Sequence, residues 1–381
     1  MITPRKLAVP SRVRRFRCSE EKLFREHLAS QEASFLFEVK KASDVLLDDR
    51  GRVQGEYQFT TTALSQLCSR LAPGLGQALS DVAGLQGETD TANSFRLAVS
   101  IINAIIKLRF ATRVCGLRLL FDRRSHRVEG VVGPRYNLLP NGELLERCQQ
   151  FVNELSGGTC VFHEAVLEGR QMLLRYRNVA RAFTLPVESG GNTMKDSFTW
   201  GWHFTNSEVG DKSVQGAALL IRDFDSSASL APSTDVNRVI HVRSDHFREK
   251  VTEALEQLRR RTMASNEMRT SLVKLCQQSL DAGLTTVAGY TARRKSLVSK
   301  LVRAKVPAKL AEQVVDRALV AGSFSRVSVE VTPQLLDRIR GRSAYDVYTS
   351  LTHIARRQEI NRRELTEQLA YRMLTGRFTL T

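Results

Sequence analysis

The stretch from Thr159 to Ile221 constrains the fold most. TCVFHEAV, RQMLLRYR, ARAFTLPV, FTWGWHFTNSEV and QGAALLIR are strand-like runs rich in aromatic and β-branched residues, separated by short polar or glycine-rich breaks. Parallel strands need crossovers of a dozen residues or more, and these breaks are far shorter, so the runs predict an antiparallel sheet.

Helical patterns flank this block. Upstream, SEEKLFREHLA has a capping serine and helical spacing, and SFLFEVKKASDVLLDDRGRVQGEYQFT alternates like strands broken at Asp49-Arg50-Gly51. TTTALSQLCSRLAPGL puts Leu64, Leu67, Cys68 and Leu71 on one helical face behind threonine caps. From Asn93 to about Arg113, Phe95, Val99, Ile102, Ile105, Ile106 and Phe110 predict a core helix. GLRLLFDRRSHRVEGVVGPRYNLLPN then predicts two strands joined by a polar turn at Arg123–Ser125, followed by the helix ELLERCQQFVNEL. Beyond Ser244 the pattern is predominantly helical. The expected fold class is α+β: an antiparallel sheet with packed helices, followed by a basic, mostly helical region. The expected division is a basic N-terminal arm and first helix (1–33), an α+β core domain (34–225), a linker or exposed loop (226–244, which contains SSASLAPSTD) and a helical region (245–381).

Charge narrows the function. The formal net charge is +17 and the sequence pI is near 10.0, an excess that ordinarily faces a polyanion. Nucleic acid is the expected partner, with an acidic protein partner as the alternative. No run approaches the roughly 18 apolar residues of a spanning helix, and the basic start MITPRKLAVPSRVRRFR lacks the apolar stretch of a signal peptide, so no membrane partner and a cytoplasmic location are expected. Arg5, Lys6, Arg12, Arg14, Arg15 and Arg17 precede the first acid, Glu20, and form either a phosphate-binding tail or a solvated terminus. The six cysteines are scattered without a C-x-x-C pair, which predicts reduced thiols and no structural zinc site.

Four groups are candidate nucleic-acid contacts. DRRSHR places Arg123, Arg124, His126 and Arg127 at a hairpin tip, where Arg135 and Tyr136 extend a track along phosphates; the alternative is a solvated turn. In DSFTWGWHF, Phe198, Trp200, Trp202 and Phe204 share one strand face, and the favoured reading is a core face, with a base-stacking platform as the alternative. LEQLRRRTMAS contributes Arg259, Arg260 and Arg261. GYTARRKSLVSKLVRAKV contributes Arg293, Arg294 and Lys295; helices carrying such residues present cations to phosphates unless acids pair them.

Catalytic patterns are thin. The chain has no G-x-x-x-x-G-K-[ST] loop, no H-E-x-x-H and no G-x-S-x-G elbow. Asp223 and Asp225 could in principle hold a divalent cation, although aspartates favour turns for their own hydrogen-bonding reasons. The reading requires no catalytic residue, metal or cofactor.

FTTTALSQLCSRLAPGL, VVGPRYNLLPNGELLE, WHFTNSEVGDKSVQGAALL and SAYDVYTSLTHIARRQEINRRELTEQLAYRML occur in this order between Phe59 and Leu374. Together they resemble the phage and plasmid proteins collected as domain of unknown function 932. LLIRDFDSSASL stands where many of those proteins carry a Cys-Asn-Gly-Met-like run. The resemblance implies association with a phage, plasmid or other mobile element. The leading expectation is sequence-tolerant DNA binding in replication, recombination or maintenance of such an element, with single-strand binding or annealing as its most specific form. A non-enzymatic adaptor or assembly protein and a metal-dependent nuclease are the rivals; homo-oligomerisation stays open.

Overall fold

The computed structural model describes residues 13–30, 34–79, 91–112, 116–189, 192–210, 212–231, 237–239, 249, 253, 265–280, 287–320 and 342–380. The expected α+β class is what it has. A seven-stranded sheet runs in the order β1 (Val13–Arg17), β7 (Cys160–Glu168), β8 (Gln171–Ser189), β9 (Asn192–Ser207), β10 (Val214–Arg222) and β11 (Ser227–Leu230), with β12 (Asn237–Val239) also paired to β10. All its pairings are antiparallel. RQMLLRYR and ARAFTLPV, expected as two strands, form the single strand β8, whose pairing with β9 is irregular between Arg177 and Ala182.

A second, five-stranded sheet has the order β2 (Ser34–Val39), β5 (Leu117–Asp122), β6 (Arg127–Val132), β4 (Tyr57–Phe59) and β3 (Arg52–Val53). It packs with α2 (Thr61–Leu71) and α3 (Thr91–Ala111) around Leu67, Leu71, Ile102, Ile106 and Phe121. Thr60 caps α2 by accepting from the Ala63 amide, as the threonine run predicts. Arg170 ties the two sheets: its guanidinium lies 3.3 Å from Asp122 and 3.2 Å from Glu208.

The larger core joins α1 (Glu21–Ala29), α4 (Asn141–Ser156), α5 (Ser265–Gln277), α6 (Val287–Arg303), α7 (Ala308–Val320), α8 (Ala344–Ala355) and α9 (Ile360–Leu374) to the seven-stranded sheet. The helical region therefore shares the sheet's core rather than hanging from a linker. Ser227–Leu230, within the expected linker, is a buried strand on which α8 and α9 rest. The small residues that made SSASL read as a loop are what lets two helices approach this strand. Gly201 serves a similar purpose between the tryptophans: a Cβ there would sit 2.2 Å from the Tyr176 carbonyl oxygen, so β8 and β9 could not pair as closely with any other residue. No helix among the described residues is long and apolar enough to cross a membrane.

Candidate functional site

One irregularity in β7 shapes the site. Phe162 pairs with Tyr176 and Glu164 with Arg175, so His163 is an extra residue in a β-bulge. Without the bulge, Phe162 and Glu164 would share a face. With it, Phe162 enters the aromatic core beside Phe24 and Tyr176, while Glu164 joins Arg175 and His203, which are directly opposite one another across β8 and β9.

The polar face so formed is covered by α9. Arg363 donates to both Glu164 oxygens (2.9 and 2.6 Å) and to Glu367 (3.0 Å). Arg175 also bonds Glu367, and its Nε lies 3.3 Å from His203 Nδ1. An arginine Nε can only donate, so His203 Nδ1 accepts and its Nε2 carries the proton toward Glu364, 2.9 Å away. Glu364 also pairs with Lys212. Burial lowers the His203 pKa, so this cluster holds three cations, Arg175, Arg363 and Lys212, against three carboxylates and a neutral imidazole. Burial pushes Glu164 up, but Arg363 and Arg175 outweigh it and hold the carboxyl at about 2. The network is balanced and clamps α9 to the sheet.

Immediately beside it lies an unbalanced cleft of about 840 Å³. Arg15 and Arg17 of β1, Arg177 of β8, and Arg356 and Arg357 of the turn between α8 and α9 line it with His163 and His353; its acids are Glu20 and Glu164, the latter committed to Arg363. Arg15 donates to the carbonyls of Arg356 (2.8 Å) and Gln358 (3.0 Å), which orients it without neutralising it. Burial and then the neighbouring Arg363 lower its pKa. His353 Nδ1 is 2.9 Å from Asp225 Oδ2. His163 is only 9% exposed; burial, reinforced by Arg175 and Arg177, brings its pKa to about 4, so the ring is neutral at pH 7.

The sequence-predicted residues are dispersed. At the hairpin tip, Arg123 lies over the Phe35 ring, 4.5 Å from its centroid, and His126 pairs with Glu56 at 2.5 Å. Arg124 and Arg127 line a separate cavity of about 440 Å³ with Arg14, His27 and Arg170, where Asp122 and Glu129 offset part of the charge. Arg135 is exposed, but Tyr136 is buried and donates to the Ser207 carbonyl, so the two do not form a track. Trp200 and Trp202 are 3% and 8% exposed and lie in the core with Phe198 and Phe204, the favoured reading; no base can stack on them there. Arg294 makes a two-point pair with Asp316 (2.6 and 2.9 Å), Arg293 is half-buried and Lys295 exposed. Arg259, Arg260 and Arg261 lie outside the described residues. Asp223 accepts from the Thr199 hydroxyl, and Asp225 is engaged by His353 and the Ser227 amide. Among the described residues no group of three or more His, Cys, Asp or Glu side chains could hold a metal ion.

Reasoning from the sequence anticipated Arg15 and Arg17 as part of a basic arm but missed His163, Arg177, Arg356 and Arg357. The bulge has no composition signal, and the two clusters come together only when the sheet and α9 pack. No family model matches the chain, and neither a curated protein nor a solved structure matches it.

Proposed function

We propose that the protein binds nucleic acid, DNA above all, through the phosphate backbone and without reading sequence, with the strand lying along the arginine cleft beside β1. The observation that carries this reading is the charge imbalance of the cleft: five arginines face it, and one of its two acids is already spent on Arg363. Such a surface attracts a polyanion and releases its condensed counterions on binding. The overall charge of +17 supports the same partner. The order of the four segments that resemble domain of unknown function 932 supports a setting in a phage, plasmid or other mobile element. Both tryptophans are buried, which supports phosphate contacts over base stacking in this reading.

The test is a titration of unrelated single- and double-stranded oligonucleotides at about 50 and about 200 mM salt, where backbone binding loses affinity steeply as salt rises. Similar affinity for unrelated sequences and a steep salt dependence are expected. No binding at the lower salt overturns the reading, and tight binding to an acidic polypeptide alone supports an adaptor instead.

A further inference from the structure

We propose that the inner wall of the cleft is a phosphate pocket in which the Arg177 guanidinium and the His163 imidazole hold one phosphate group of a bound strand. The inference rests on the backbone-binding reading for the source of the phosphate and adds the atoms that take it out of water.

Two independent observations meet at one place. Arg177 Nε is buried without a hydrogen-bond partner. His163 is nine-tenths buried, and both side chains line the same cleft. A buried donor left unpaired is costly, and native proteins rarely keep one unless a ligand, ion or water completes it. The bulge adds to the point, because it makes His163 an extra residue of β7 beside the Glu164–Arg175 pair. Bulges are frequent where a side chain must be re-aimed next to a binding site.

The missing partner has a defined chemistry. Arg177 offers an N–H and so needs an acceptor; neutral His163 offers one N–H and needs another. Glu164 is engaged by Arg363 at both oxygens and makes no hydrogen bond to Arg177 or His163 among the described residues. Arg15, Arg17, Arg356 and Arg357 surround the position with charge far in excess of what one carboxylate would balance. An oxyanion with several acceptor oxygens fits, and the internal phosphodiester of a strand is the source to which we commit.

The test separates charge from hydrogen bonding. Arg177→Lys keeps the charge but lacks the Nε donor, and His163→Leu removes the ring nitrogens without altering charge at pH 7. Each folded variant is expected to bind an oligonucleotide about tenfold more weakly than wild type at fixed salt, with an unchanged salt slope because no cation is lost. In the wild-type chain, inorganic phosphate is expected to move the His163 imidazole nitrogen resonances, a readout that requires no variant. Wild-type affinity in both variants, or unmoved His163 resonances, overturns the pocket even if oligonucleotides bind with a steep salt dependence. If phosphate moves His163 while no oligonucleotide binds, the pocket stands and the strand-binding reading falls. Equal affinity for 5′-phosphorylated and 5′-hydroxyl oligonucleotides is expected of an internal diester; a clear preference for the phosphorylated strand overturns that source in favour of a strand end.

Discussion

Two arginine-rich regions lie side by side on the same face of the large sheet and share Glu164, yet they differ in kind. In the cluster under α9, every cation has a carboxylate counter-charge, although Arg175 Nη1 makes no hydrogen bond: Arg175, Arg363 and Lys212 meet Glu164, Glu364 and Glu367, and all but Lys212 are less than a tenth exposed. In the cleft, Arg17, Arg177 and Arg357 have no carboxylate partner among the described residues, and Arg15 and Arg356 are held by backbone carbonyls alone. The lesson concerns balance rather than number. A closed set of charges holds an element in place and takes no ligand, whereas an open set is stable only where water or a ligand can reach it.

The largest effect should come from breaking the closed set. Glu367 is 0% exposed and bridges Arg363 and Arg175, so Glu367→Gln leaves a buried cation without its counter-charge. The expected loss is about 3–5 kcal/mol of folding stability, measured by chemical denaturation. A loss well under about 1 kcal/mol would mean that the cluster does not clamp α9 as described.

Acid should act on the same region in a defined order. His163 has a folded pKa of about 4, below its ordinary value of 6.5, so the unfolded chain binds the proton more readily. Its contribution is complete above about pH 6.5 and is lost as pH falls toward 4, at most about 3 kcal/mol. Glu164 and Glu364, both held at about 2, are likewise depressed; their contribution is present above about 4.5 and disappears as pH falls toward 2. Stability measured from pH 7 to 3 should therefore fall early and then continue to fall; His203, whose pKa burial also lowers, adds to the first part, and His163→Leu should remove the share that belongs to His163. A level profile between pH 7 and 4.5 would contradict the neutral, buried state of His163.

Much of the scaffold was legible because period-two and helical patterns report locally which face is buried. Val99, Ile102 and Ile106 marked a core helix, Leu64 and Leu67 marked another, and both lie in the smaller core. The tryptophans followed the same logic. The site was less legible because charge density along the chain does not reveal pairing. DRRSHR is the densest cationic hairpin, yet Arg123 stacks on Phe35 and His126 pairs with Glu56, a residue 70 positions earlier. Arg177 lies within a strand-like run and Arg356 in an ordinary helix end, and nothing local joins them to Arg15. Ser227–Leu230 misled in the opposite direction, since small polar residues mark both loops and tightly packed edge strands.

The smallest effects should separate paired from unpaired arginines at the surface. Arg17 and Arg357 are exposed and face the cleft. Replacing both by Gln should leave stability within about 0.5 kcal/mol, because neither anchors a buried contact. It should weaken oligonucleotide binding across unrelated sequences and lower the salt slope by roughly one per arginine that touches a phosphate. Arg294 supplies the contrast. It is about as basic a candidate in the sequence, but its guanidinium makes two short bonds to Asp316 across α6 and α7, with both side chains partly exposed. Arg294→Gln should cost under about 1 kcal/mol of stability, as half-exposed pairs usually do. Its effect on the salt slope should be smaller than that of either cleft arginine, since a guanidinium already neutralised by a carboxylate displaces few counterions from a nucleic acid. If Arg294→Gln flattens the slope as much as Arg17→Gln, charge pairing in the folded chain is not what selects the binding surface, and the interface extends over the helical face that carries Arg293, Arg294 and Lys295.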